Sequence, residues 1–521
     1  MKSYHWADKI ANDLIHEKKK SKYVTSAGIT PSGVVHIGNF RDISTSELVS
    51  ESLKDKGESA ELIFVWDDYD RFRKVPKGVP KEFSKYIGMP ISKVPDPFGE
   101  EESYADYFKK DFLKAIKELG TEVTFISQTK EYESNKYYPL IKEAMQKRKV
   151  IANILSEFKT QGMTEEEIEN YYPLQVYCTS CGRDSTKIKS YDEEDVISYI
   201  CKCGHEESAD ISKKNIGKLS WKIDWAMRWK FLGVDFEPGG KDHATEGGSY
   251  TISSKISEEV FNHEPPYFQG YEFVGIKGIS KMSSSSGTGI SPKDLLEIYE
   301  PEMIRWIMAR AKPKSTLTFN FGSELIRQYE EFDKLIDNHL SKSANKEEER
   351  ILFFSKTSPD KEWPDNRVSF RQVASIGQIS QGNFKRLKEI YDRIGQDYDE
   401  ENLRTRFEKS MNWIEKYAPE MKIVLRETPN KDYYNSLSEE DKDKIKKLKD
   451  GLENNWTLEG LTSLVYSVPK TPCMTDKEKV KSQREFFKNV YQLLLNKDRG
   501  PRLPTFLLAI GKEKAEQLLS F

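Results

Sequence analysis

Apolar and polar positions in the first 290 residues follow strand and helix periods in turn. Tyr23-Val24-Thr25-Ser26-Ala27 reads as a short strand that meets a breaker run, Gly28-Ile29-Thr30-Pro31-Ser32-Gly33. From His36 to about Lys54, Ile37, Phe40 and Ile43 recur at i, i+3 and i+6, which predicts a helix with one apolar face. Glu61-Leu62-Ile63-Phe64-Val65-Trp66 is an apolar run of the kind buried on both faces of a sheet. Strand, glycine-rich turn, helix and strand make a βαβ unit. Such units open doubly wound parallel sheets, whose ligands sit beyond the carboxyl ends of the strands. A helix follows from Tyr104 to Leu119, then a third strand at Val123-Thr124-Phe125-Ile126 and helices over 130–172. The stretch 176–212 is rich in turn residues and poor in apolar mass, which marks an inserted subdomain. The α/β pattern resumes near Trp221, Phe273-Val274-Gly275-Ile276 is its last clear strand, and beyond about 290 the pattern is helical to Phe521.

Bulk properties narrow the class. A chain of 521 residues exceeds one ordinary core and suggests three or four domains. It has no apolar run of about 18 residues, so no membrane span is expected, and no signal-peptide pattern at its start. Four of the five cysteines crowd between 178 and 203, which favours a metal site in a reducing, cytoplasmic setting over disulfides. From 361 onward there are 30 Lys and Arg against 26 Asp and Glu, whereas the whole chain carries 82 against 85. This mildly basic end is compatible with RNA, although solvated helices look the same, and the Lys442-to-Lys449 cluster reads as such a face.

Two segments carry candidate phosphate chemistry. In Pro31-Ser32-Gly33-Val34-Val35-His36-Ile37-Gly38-Asn39, Gly33 permits a tight turn into a helix N-terminus, where free N–H groups favour anions. Gly38 leaves room for a base, and His36 and Asn39 can donate to phosphate. In Lys277-Gly278-Ile279-Ser280-Lys281-Met282-Ser283-Ser284-Ser285, a glycine- and serine-rich stretch after a strand projects two lysines. Such a loop can neutralise charge on a departing pyrophosphate. Asp67, Asp68 and Asp70 follow a strand, where they either line a site or cap the next turn. Trp225 and Trp229 have the spacing of core residues. Cys178-Thr179-Ser180-Cys181 and Cys201-Lys202-Cys203-Gly204-His205 offer five ligands for four zinc positions.

The two phosphate segments, in this order and separated by an interrupted α/β pattern, resemble the signatures of class I aminoacyl-tRNA synthetases. Longer blocks over residues 1–330, among them Trp66-Asp67-Asp68-Tyr69-Asp70-Arg71-Phe72, Trp221-Lys222-Ile223-Asp224-Trp225 and Gly240-Lys241-Asp242-His243, resemble the class I lysyl-tRNA synthetases. The resemblance implies a Rossmann-type catalytic domain (1–150 and 216–290) split by a connecting insertion with a zinc-binding subdomain (151–215). A helical junction (291–360) and an all-α anticodon-binding region (361–521) would follow. It implies ATP, Mg²⁺, L-lysine and tRNA(Lys) as partners and structural zinc; the absence of a long apolar run argues against a membrane partner, and the sequence leaves the oligomeric state open, a monomer being slightly favoured. ATP would meet Pro31, Ser32, Gly33, His36, Gly38, Asn39, Asp242, His243, Lys281, Met282, Ser283, Ser284 and Ser285. His36, Asn39, Lys281 and Lys277 would stabilise the reacting phosphates. Lysine would meet Gly28, Thr30, Asp42, Trp221, His243 and Tyr267, since an ammonium needs acceptors and its stem needs flat apolar walls. The family's second zinc knuckle matches Cys201 and His205 beside Cys178 and Cys181, with Cys203 as the substitute. Glu100, Glu101 and Tyr107 stand where some relatives carry Cys and His, so a second zinc site is not implied. Asn39 stands where class I enzymes usually have a second histidine, and Ser284 where they have a second lysine. Rival functions are a nucleotidylyltransferase, a synthetase for another amino acid such as glutamate, and a non-catalytic RNA-binding relative.

Overall fold

The computed structural model describes residues 3–277 and 289–521. These fall into two units: Met1–Leu296 with Pro301–Phe319 and Ala344–Lys361, and Glu297–Glu300 with Asn320–Ser343 and Glu362–Phe521. The stretch 291–360 is therefore shared between units.

In the first unit the strands, in chain order, are β1 (Tyr23–Ile29), β2 (Ala60–Trp66), β3 (Thr124–Ser127), β4 (Leu174–Val176), β5 (Thr186–Tyr191), β6 (Val196–Cys201), β7 (Glu206–Asp210), β8 (Gly217–Leu219), β9 (Phe236–Gly240), β10 (Tyr267–Tyr271), β11 (Val274–Ile276) and β12 (Leu317–Phe319). Five of them form a parallel sheet in the order β10-β9-β1-β2-β3. Its β1–β2 register runs from Tyr23 opposite Ala60 to Ile29 opposite Trp66. The strand order reverses between β1 and β9, where a doubly wound sheet opens a crevice at its carboxyl edge.

Burial on both faces explains the unbroken apolar run of β2. On one face, the helix Trp6–Lys18 turns Ala7, Ile10, Ala11 and Leu14, one helical stripe, onto Leu48, Val49 and Leu53 of the helix Ile37–Asp55. On the other, Ile63 and Val65 join a larger core with Tyr132, Ile141, Ile151, Ile223, Trp229 and Ile256.

The inserted stretch contains an antiparallel sheet, β5-β6-β7, and its neck is the antiparallel pair β4–β8. A Cβ on Gly217 would lie 2.3 Å from the Gln175 carbonyl oxygen, so the neck closes only around a glycine. Two expectations change. The strand expected at Phe273–Ile276 is β11, which pairs with β12 outside the main sheet. The strands that complete that sheet, β9 and β10, have weak sequence signals: β9 reads Phe-Glu-Pro-Gly-Gly, and proline and glycine are both depleted in strands.

The described residues of the second unit contain helices and no strand. Leu387, Ile390, Leu403, Leu448, Leu461, Val490 and Phe506 are among its buried core. Arg406, fully buried, is held by Glu300 at 2.8 Å and Asp333 at 2.5 Å. Among the described residues, no helix is long and apolar enough to cross a membrane.

Candidate active site

A cavity of about 180 Å³ lies at the point where the strand order reverses. Gly28 of β1, Asn39 and Asp42 of the helix Ile37–Asp55, and Val65 and Asp67 at the end of β2 line one side. Trp221, Trp225 and Arg228 of the helix Trp221–Leu232, Glu237 through Gly240, His243, and Tyr271 at the end of β10 line the other. A Cβ on Gly28 would sit 2.8 Å from the Val65 carbonyl oxygen, so this approach of β1 to β2 requires glycine.

The first signature segment forms a cap. His36 precedes the helix Ile37–Asp55 and its Nδ1 accepts from the Gly38 N–H at 3.1 Å, while Asn39 Oδ1 accepts from the His36 N–H at 3.2 Å. Burial holds the His36 pKa below its ordinary value, so the ring is neutral at pH 7. With Nδ1 accepting, the ring proton resides on Nε2, and the Asn39 amide nitrogen is left as a donor. The preceding turn is pinned by Tyr104, whose hydroxyl donates to the Ser32 carbonyl at 2.8 Å.

Chain flanking the second signature reaches the same place. Lys277, exposed, donates its N–H to the Phe319 carbonyl at 2.8 Å, and the Ile290 carbonyl accepts from the Ile37 N–H at 2.9 Å. A Cβ on Gly289 would lie 2.9 Å from the His36 Cβ. Lys281, Met282, Ser283, Ser284 and Ser285 lie outside the described residues. Arg41 fastens this side by donating to the carbonyls of Glu272 (2.7 Å), Lys312 (3.0 Å) and Ser315 (3.0 Å).

Three carboxyl groups line the cavity, Asp42, Glu237 and Asp67. Asp42 accepts from the Gly28 N–H at 3.3 Å and the Tyr271 hydroxyl at 3.0 Å. Burial, reinforced by the nearby Glu237 charge, pushes its pKa up to about 8. Glu237 accepts from the Trp229 indole N–H at 2.6 Å, and burial raises its pKa despite Arg228. Arg228 in turn pairs with Asp67 at 2.7 Å. Trp221 and Trp225 stack with ring centres 5.0 Å apart, the Arg228 guanidinium lies 5.3 Å from the Trp221 ring centre, and Trp221 is 37% exposed.

Several expectations are sharpened or corrected. Trp225 is core, as its spacing predicts, and also a cavity wall. Tyr267 begins β10, packs against Phe236 and does not line the cavity; Tyr271, four residues on at the strand's carboxyl end, does. Thr30 donates to Asp70 at 2.9 Å, and Asp70 pairs with Lys218 at 2.6 Å, so both support the site from behind. Asp68 fixes the turn by accepting from the Thr129 N–H at 2.8 Å and pairing with Lys109 at 2.7 Å, whereas Asp67 lines the cavity. Asp242 lies on the short turn Lys241–Ala244 and His243 projects from that turn to the cavity. Sequence reading missed Glu237, Arg228 and Tyr271. The only available signal was their place after or between strand and helix segments, which β9 does not advertise.

The four cysteines come together elsewhere in this unit. The Sγ atoms of Cys178, Cys181, Cys201 and Cys203 lie within 4.8 Å of one another, with Cys178–Cys203 at 3.8 Å and Cys181–Cys201 at 3.7 Å. A tetrahedral zinc with Zn–S bonds of about 2.3 Å sets its sulfurs about 3.8 Å apart, whereas a disulfide would need about 2.05 Å. His205, favoured from the sequence as the fourth ligand, lies outside this sulfur cluster. Its Nε2 meets Thr179 Oγ1 at 3.1 Å and Glu207 Oε2 at 3.2 Å, and Cys203 completes the cluster.

A family model described as tRNA synthetases class I (K) matches residues 4–358. The chain belongs to this family. A Borreliella burgdorferi relative named Lysine--tRNA ligase is 37% identical over 534 residues, spanning 100% of this chain and 99% of that protein. Proteins of the same name from Pyrococcus horikoshii (37%, 98% of each chain) and Streptomyces coelicolor (34%, 99% of this chain and 98% of that one) also match. In this synthetase the family match covers both cavity-lining halves of the sheet and the cysteine insertion between them.

Proposed function

We propose that the chain is a lysine–tRNA ligase, which joins L-lysine to tRNA(Lys) through lysyl-adenylate at the expense of ATP. The observation that carries this is the cavity in which the carboxyl groups of Asp42 and Glu237 stand beside stacked tryptophans and next to the His36 cap. A cation with a four-carbon stem fits that chemistry, since its charge draws the proton off Asp42, whereas the side-chain carboxylate of glutamate would bring a further acid to a site already lined by acids. The names of the relatives support the same activity.

In the reaction, the lysine carboxylate attacks the ATP α-phosphate, forming the mixed anhydride and expelling pyrophosphate. A terminal ribose 2′-OH of the tRNA then takes the lysyl group and AMP leaves. His36 Nε2–H and the Asn39 amide donate to the triphosphate, while Lys277 and Lys281 balance charge on the pyrophosphate. Pro31, Ser32, Gly33 and Gly38 shape the phosphate turn, Met282 to Ser285 complete the second segment, and Asp242 and His243 face the nucleotide side. Mg²⁺ supplies further charge neutralisation on the phosphates. The helical region 361–521 binds the anticodon arm.

The deciding experiment is ATP–pyrophosphate exchange and charging of unfractionated tRNA with each amino acid separately. Exchange supported by glutamate and not by lysine would sink the proposal. His36→Ala is expected to lower the exchange rate about 10- to 100-fold, the worth of one hydrogen bond to a charged group. A rate within twofold of the parent would remove His36 from the phosphate role.

The four cysteines would hold a structural zinc ion, closing an insertion too small for its own core. Elemental analysis is expected to give one zinc per chain, lost in Cys203→Ser and retained in His205→Ala. The reverse pattern would restore His205 as the ligand.

A further inference from the structure

The second unit, within the region proposed above to bind the anticodon arm, carries a cleft of about 560 Å³. One wall is the helix Phe384–Ile394, which buries Leu387, Ile390, Tyr391 and Ile394 and turns its opposite face outward. The other is the segment Ala509–Lys514. Five cations line the cleft, Lys385, Arg386, Arg393, Lys512 and Lys514, against two acids, Glu389 and Glu513. The local excess is thus three positive charges on a chain whose net charge is −3.

These cations are poorly neutralised. Lys385 makes no hydrogen bond or ion pair among the described residues. Arg386 donates to the Gln381 amide oxygen at 3.2 Å, Arg393 to the Leu508 carbonyl at 3.2 Å and Lys514 to the Glu427 carbonyl at 2.9 Å. Each of these partners is uncharged. Lys512 has a carboxylate, Glu516, only at 4.0 Å. The adjoining hollow shares Lys385 and Glu389 with the cleft, but its own cations are balanced: Lys388 pairs with Glu400 at 2.6 Å and Arg404 with Glu400 at 3.7 Å, and these two face two acids, Asp392 and Glu400.

A concave surface that gathers cations from two distant segments and leaves all but Lys512 without a carboxylate partner among the described residues suits a repeating polyanion. It offers forked guanidinium and point ammonium donors together. We propose that this cleft docks the phosphodiester backbone of tRNA, with Lys385, Arg386, Arg393, Lys512 and Lys514 as phosphate contacts. The choice of tRNA rests on the ligase activity proposed above; the choice of a phosphodiester backbone rests on the charge of the cleft.

The test uses the full chain and two measurements that do not depend on each other. Filter binding of unfractionated tRNA reads the cleft, and lysine-dependent pyrophosphate exchange without tRNA reads the catalytic site. Lys385→Glu with Arg386→Glu is expected to weaken tRNA binding at least about tenfold. It should also reduce the slope of log affinity against log salt by about 1.4, two contacts at about 0.7 each. Exchange should be unchanged. The triple variant Lys385→Ala, Arg386→Ala, Lys512→Ala should act in the same direction and covers any folding defect of the charge reversal. Lys388→Ala with Arg404→Ala, on the balanced hollow, should leave binding as it was. Parental affinity and slope in a folded cleft variant would overturn the proposal, as would an equal loss in the balanced-hollow control. If no amino acid supports exchange, the ligase activity fails, while tRNA binding still decides the cleft.

Discussion

Replacing Arg228 with methionine is expected to destabilise the first unit by about 3–5 kcal/mol, seen as a lower midpoint in denaturant unfolding. Arg228 is buried, pairs with Asp67 at 2.7 Å and lies 3.5 Å from Asp224, which is fully buried and also takes the Tyr132 hydroxyl. Lys218, 3.5 Å from Asp67 and 3.4 Å from Asp224, is the only other cation within ion-pair range of either acid among the described residues. Removing the guanidinium therefore leaves Asp67 and Asp224 to share with Asp70 the single ammonium of Lys218, and Glu237 loses the positive charge that opposes its protonation. Lysine at this position keeps the charge and loses the fork, so an intermediate loss is expected. An unchanged midpoint in Arg228→Met would mean that the network contributes nothing to stability.

Asp42→Asn is expected to raise the KM for lysine more than a hundredfold, about 3 kcal/mol, with little change in KM for ATP. The pH profile gives a second readout. In the empty site Asp42 holds its proton up to about pH 8, and a cation binds only once that proton leaves. Lysine affinity should therefore rise about tenfold per pH unit on approaching pH 8 and level off above it. The asparagine variant should lose this dependence. A wild-type profile flat between pH 6 and 8, together with an Asp42→Asn variant that binds lysine as tightly as the parent, would exclude Asp42 as the ammonium's partner.

The parts of the fold legible in the sequence were those under a single demand. β1, β2 and the helix between them show in their periodicity because burial alone chooses their residues, and the cysteine spacing confined the metal ligands to five. The substrate side was obscured where two demands compete. Gly239 and Gly240 let β9 run close to Phe268 and Asp242, where a Cβ would meet atoms at 2.8 Å and 2.6 Å, and that erases the strand signal. Tyr271 and Tyr267 both lie on β10, and periodicity cannot say which end meets the ligand. Glu237 and Arg228 look like surface charges in a one-dimensional reading; only the three-dimensional fold makes them neighbours. That Cys203 joins the sulfur cluster and His205 does not is a matter of local geometry that spacing cannot carry, with the imidazole Nε2 engaged by Thr179 and Glu207.

The inserted cysteine module also sets an order of assembly during synthesis. β1, β2 and β3 leave the ribosome first, but β9, which covers the open side of β1, follows Ser127 by roughly a hundred residues. At about 5–20 residues per second, the inner edge of the nascent sheet stays uncovered for about 5–20 s. An unpaired parallel edge of that kind invites pairing with another chain. Prompt closure of the β4–β8 neck, helped by zinc at the proposed site, brings β9 within reach of β1. Scarcity of the metal would then appear first as poor yield of newly made protein, before any finished molecule lost activity.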